Sequence, residues 1–116
     1  MLLASKILAG LVLLIHIYIV LLETVLFKTR GRRVFGLSAD KAAIVAPLMF
    51  NQGCYNGFLA GALALGLLLP DGRAFTVFGL VCVALAGVVG AATVQMRILY
   101  VQTVPAVAAL VTLYLA

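Results

Sequence analysis

Charge is scarce in this sequence: aspartate and glutamate together number three, lysine and arginine eight, and charged residues make up 9% of 116 positions. A soluble domain of this length covers its core with a polar shell, and this composition cannot supply one. Tryptophan is absent, which removes the best aromatic face for stacking a cation. Cysteine occurs twice, at Cys54 and Cys82, in different apolar segments. Two thiols so placed suggest neither a disulfide nor a metal site. There is no glycine-rich phosphate loop, no metal-ligand cluster and no serine or cysteine triad along the chain. Kinase, metallohydrolase and acyl-transfer chemistry are therefore poorly supported, and no cofactor is expected.

What the chain has is apolar length. Hydrophobic residues account for 66% of it, and the mean hydropathy is +1.31. A membrane-crossing helix needs about 20 largely apolar residues, so four such helices with short turns use up the sequence. The expected fold is all-α: a single transmembrane domain, a bundle of four transmembrane helices over approximately 3–27, 48–69, 74–94 and 98–116. The first apolar run follows Lys6, as in a signal peptide. It continues to Phe27, carries His16 and Glu23, and meets no small-x-small cleavage pattern, so it is expected to be a retained helix.

The run stops at Lys28-Thr29-Arg30-Gly31-Arg32-Arg33. A mixed stretch from Val34 to Ala46 follows, in which Ser38 can cap a brief interfacial helix. Pro47 suits the first turn of the second span. Pro70-Asp71-Gly72 reads as a tight turn. Only Gln95-Met96-Arg97 interrupts the last two segments, and Pro105 inside the fourth is expected to kink that helix rather than break it.

Charge sets the orientation. Lys28, Arg30, Arg32, Arg33 and Lys41 lie between the first two helices and Arg97 between the last two, against Lys6 and Arg73 on the other side. The excess of basic residues puts that first loop in the cytoplasm and both termini on the non-cytoplasmic side of a cell membrane, in a bacterium the inner one. The net charge of +5 then lies beside anionic lipid headgroups. The basic run is too short, and lacks the accompanying fold, for nucleic-acid binding.

In this topology the polar residues gather at one depth. Glu23 is expected one turn above the cytoplasmic end of the first helix, with His16 on nearly the same face and about 10 Å deeper. Asn51, Gln52, Tyr55 and Asn56 occupy one arc in the first turns of the second helix, and Thr93, Gln95 and Gln102 return to the same depth. The expected result is a polar, titratable pocket in the cytoplasmic half of the bilayer, with His16 as its floor. A carboxylate in hydrocarbon is costly, so Glu23 should face protein, where it can hold a proton near neutral pH and release it when a cation arrives. A deep imidazole can likewise pass a proton. His16 and Glu23 are thus the candidate catalytic or proton-handling residues, and Asn51, Gln52, Tyr55, Asn56 and Gln102 the candidate ligand-binding residues. Each has a plainer reading: Glu23 can serve as a structural hydrogen-bond partner to Asn51 or Tyr55, and lone amides commonly join membrane helices. Tyr18, Tyr100 and Tyr114 fit interface or packing positions.

Gly53, Gly57 and Gly61 repeat every four residues, and Ala86, Gly87, Gly90 and Ala91 offer a second small face. Spacing of this kind permits close helix approach, within one bundle or across a homodimer seam.

At His16-Ile17-Tyr18 followed by Glu23, Asn51-Gln52-Gly53-Cys54-Tyr55-Asn56-Gly57, Gly87/Gly90, and Gln102 leading to Pro105, the chain resembles the small bacterial four-helix membrane proteins classed as domain of unknown function 1304. The resemblance covers nearly the whole chain. It implies a fold and a membrane location but no activity. Small multidrug-resistance transporters share the size, the helix number and a glutamate in the first helix. Here, however, the glutamate lies near the helix end, and no tryptophan is present. Emopamil-binding sterol isomerases also place histidine and glutamate in a membrane cavity, in a longer chain. Architecture of this kind sets only a starting expectation.

Three functions follow. The first is proton-coupled transport of a small hydrophobic or cationic compound through Glu23. The second is a membrane enzyme performing acid-base isomerisation, epimerisation or cyclisation of a lipid-soluble substrate with His16 and Glu23. The third is a non-catalytic accessory subunit whose polar cluster is packing glue.

Overall fold

A computed structural model describes residues 2–115. Among these the regular structure is entirely helical, in the order α1 (Leu3–Glu23), a wide π-type turn (Phe27–Gly31), a short α2 (Arg32–Val34), α3 (Ala39–Leu68), α4 (Arg73–Thr93), a second π-type turn (Leu99–Thr103) and α5 (Val104–Tyr114). The all-α expectation holds. Two of the helices, α1 and α4, are long and apolar enough to cross a membrane, and 99–114 forms a shorter apolar helix. The contacts of the chain fall into two compact units. One is the middle stretch, His16–Phe58, and the other is built from the stretches on either side of it.

In the outer unit the core consists of Ala9, Val12, Leu63, Leu80, Val83, Ala106 and Ala109. On α4 the buried positions are Thr76, Gly79, Leu80, Val83 and Gly87, a stripe with the three-and-four spacing of a helix packed along one side. Small residues on that stripe let the backbones close up. A Cβ on Gly87 would strike the Thr103 hydroxyl, and would lie 2.8 Å from the Thr103 amide nitrogen. Thr103 Oγ1 also donates to the Ala84 carbonyl oxygen at 2.9 Å. The glycine-rich face of α4 therefore packs within the chain, against the segment that follows it.

Pro105 accounts for the second π-type turn. It has no N–H, and its ring crowds the carbonyl four residues back. The helix responds by widening the turn just before it, so that the Val104 N–H reaches Leu99 O, and helical winding continues to Tyr114. The expectation that the helix passes through Pro105 unbroken agrees with this. The join to α4 is a short turn in which Gly90 O accepts from both Val94 and Gln95 N–H groups, at 2.8 and 3.2 Å.

The middle unit departs from expectation at two boundaries. Regular α-helix in α1 stops at Glu23, not Phe27. The Thr24 hydroxyl takes the Val20 carbonyl at 2.6 Å, and the Leu26 N–H reaches back five residues to Leu21 O at 2.9 Å, so the chain widens into π-type geometry. The second difference is at the start of α3. No boundary separates an interfacial helix from a span beginning near residue 48, because one 30-residue helix runs from Ala39 through Pro47. Ser38 does cap it, its hydroxyl accepting the Lys41 N–H at 3.2 Å. Between the two helices Gly36 takes φ 71°. Its N–H bonds to Arg33 O, and the Leu37 N–H bonds to Arg32 O at 2.7 Å, a left-handed closure that suits glycine.

Candidate functional site

Most of the buried positions of α1 follow one stripe, Ser5, Ala9, Val12, His16 and Glu23, with buried Leu22 beside its end. Steps of four, three, four and seven residues keep them on the same side of the helix. The two titratable members thus continue the line of Ala9 and Val12. His16 is fully buried and Glu23 is 5% exposed.

In the middle unit α3 meets this stripe through Gly53 and Asn56. A Cβ on Gly53 would lie 2.6 Å from Thr24 Cγ2 and 3.3 Å from Glu23 Cβ, so the missing side chain is what allows α3 to come this near. One turn further along, buried Asn56 donates from Nδ2 to Glu23 Oε1 at 2.5 Å. The centre of the candidate site is this carboxyl–amide pair, with His16 about 10 Å away along α1 at the helical rise of about 1.5 Å per residue.

The remaining candidates do not join it. Asn51, Gln52 and Tyr55 are exposed, and the Tyr55 ring stands edge-on to Phe58 at 5.7 Å instead of turning toward Glu23. At about 100° per residue the four polar residues of α3 span about 140°, wider than the face a helix presents to one neighbour. Only the Asn56 edge of that arc is covered, and Glu23 takes its hydrogen bond from Asn56 instead of Asn51 or Tyr55. Gln102 lies half-buried in the outer unit, its Cβ 3.1 Å from where a Gly87 Cβ would stand. Thr93 is exposed and bonds its own helix, Oγ1 to Val89 O at 2.7 Å. Gly57 and Gly61 have open space where a side chain would be.

Two residue pairs escaped the sequence reading. Tyr18 accepts a hydrogen bond from Arg30 Nε at 2.5 Å, and the guanidinium carbon lies 5.7 Å from the ring centroid. The Arg73 guanidinium carbon likewise lies over the Tyr114 ring, 5.3 Å from its centroid. For the first pair the signal is a tyrosine near a helix end with an arginine beyond that end; Arg73 begins a different helix from the one that ends at Tyr114, and that pair carries no such signal. The arginine's partner is not readable before the turn is known. Among the described residues no group of three or more histidine, cysteine or acidic side chains is placed to hold a metal.

Neither the curated proteins nor the solved structures give a match to this chain. A family model described as "Protein of unknown function (DUF1304)" matches residues 10–114, a span that takes in α1 from residue 10, the Glu23–Asn56 pair and the whole of α5. The chain belongs to the DUF1304 family.

Proposed function

We propose that this chain is a four-span membrane protein with both termini on the non-cytoplasmic side, and that Glu23, Asn56 and His16 form a proton-handling site coupled to movement of a small hydrophobic or cationic compound. Support for the spans begins with α1 and α4, whose outward faces carry exposed Leu11, Leu14, Leu85 and Val89. Lipid, not water, is the solvent for such faces. At 30 residues, α3 is about 45 Å long, enough to cross with its polar first turns in the headgroup region.

The observation that carries the functional reading is the buried Glu23 carboxyl with the Asn56 amide donating to it. An amide binds a protonated or an ionised carboxyl equally well in geometry, and Asn56 can transfer its hydrogen bond to an incoming ligand. Intramembrane acids that face protein commonly mark ion or substrate routes. Acid-base catalysis has less support, because Asn51, Gln52 and Tyr55, three of the residues expected to orient a substrate, are exposed while Glu23 and His16 are buried. The hydrogen bond itself favours one second reading, a structural tie between α1 and α3 in an accessory subunit.

Proton release on adding hydrophobic cations to the detergent-purified protein separates them. Release in the wild type that is lost in Glu23→Gln supports the transporter. A folded wild type that releases no proton overturns it and leaves the structural tie.

A further inference from the structure

Away from the Glu23 site, the outer unit contains an open hollow of about 800 Å³ at the turn between α3 and α4. Its wall is Val77, Phe78 and Val81, one side of the first turns of α4. Its rim holds Asp71 and Arg73, and Tyr114 closes it across the way. The apolar wall belongs to a helix long and apolar enough to cross a membrane, and the two charges sit where that helix begins. Both are exposed. Arg73 is turned onto the Tyr114 ring, which fixes its guanidinium above the wall.

Acyl chain, then charge, is the layout of a phospholipid. The two rim charges are of opposite sign, so they complement a headgroup that carries both signs. We propose that this groove binds a phospholipid whose headgroup joins a phosphate to a primary ammonium. The phosphate meets the Arg73 guanidinium, the ammonium meets the Asp71 carboxylate, and one acyl chain lies along Val77, Phe78 and Val81. Arginine suits the phosphate because its planar fork can offer two parallel N–H donors. A trimethylated headgroup has no N–H to give Asp71, and a glycerol headgroup has no cation. Both should therefore bind less well at this rim. The basic loop at Lys28 to Arg33 makes no such distinction, since it offers only positive charge.

The test is native mass spectrometry of the detergent-purified chain given equal amounts of three lipids with the same acyl chains: ethanolamine, choline and glycerol headgroups. The wild type should retain the ethanolamine lipid about threefold to fivefold over either competitor, the range of one partly exposed ion pair. Asp71→Asn should abolish the preference over the glycerol lipid while leaving total lipid bound nearly unchanged. Arg73→Gln should weaken all three, and Arg33→Gln should leave the order intact. Each variant is first shown to keep wild-type helicity. Equal retention of the three lipids by the wild type, or an unchanged preference in Asp71→Asn, overturns the proposal. Neither outcome bears on proton release at Glu23, so this site and that one fail separately.

Discussion

Asn56 and Glu23 are coupled, and the coupling is asymmetric. Removing the amide leaves a buried carboxyl without the donor seen at 2.5 Å, and a buried polar group left unmade costs about 1–3 kcal/mol. Removing the acid but keeping an oxygen costs less, because the side-chain carbonyl introduced by Glu23→Gln can still accept from the Asn56 amide. Asn56→Leu should therefore lower thermal stability in detergent clearly more than Glu23→Gln does, and Asn56→Leu/Glu23→Leu should recover part of the loss. Equal effects of the two single changes would show that the hydrogen bond is not what holds the pair. At this scale the sequence identified the buried acid and imidazole well, since seven residues is two helical turns and puts Glu23 under His16 on one stripe. It did not single out Asn56 among its neighbours. Four polar residues within six positions share an arc on any helix, and the edge that is covered depends on where α1 crosses.

The elements show why the glycines are not equivalent. Gly87 sits against the Thr103 backbone with no room for a methyl group, whereas Gly57 has nothing within 4 Å of an added Cβ. Gly87→Ala should destabilise the fold by a few kcal/mol, the range found for overpacking against backbone. Gly57→Ala should be neutral or slightly stabilising, because alanine improves helix propensity by about 1 kcal/mol. Thermal unfolding of the two variants in one detergent checks this, and similar midpoints would contradict the packing described. Small-residue spacing announces close approach without naming the partner, and here the Gly87 face is filled by residues 98–103 of the same chain. The helix boundaries illustrate the same limit. Pro47 reads as a start, yet α3 begins at Ala39, because the Ser38 cap and the Gly36 closure supply a start earlier in the chain. The Pro105 signal was readable, since a missing N–H and a crowded carbonyl leave a helix few responses other than a widened turn.

For the molecule as a whole, whether α3 crosses is the property on which the proposed function rests, and three surface positions decide it. Six of the eight basic residues lie in two segments, 28–41 and 97, with Lys6 and Arg73 as the remainder. If all four helices cross, α3 separates Lys28 from Arg73 and α4 separates Arg73 from Arg97. Positions 28 and 97 then share the cytoplasmic side, and position 73 lies opposite. If only α1 and α4 cross, Lys28 and Arg73 share a side and Arg97 alone lies across from them. All three residues are exposed, so a cysteine at each should react wherever reagent reaches it. In a background of Cys54→Ala and Cys82→Ala, Arg73→Cys should label with a membrane-impermeant maleimide in intact spheroplasts. Lys28→Cys and Arg97→Cys should label only after permeabilisation. Labelling at 28 and 73 together, with 97 apart, would take α3 out of the membrane. The Glu23–Asn56 pair would then lie at the membrane surface, where an acid needs no proton-coupled role to account for its burial.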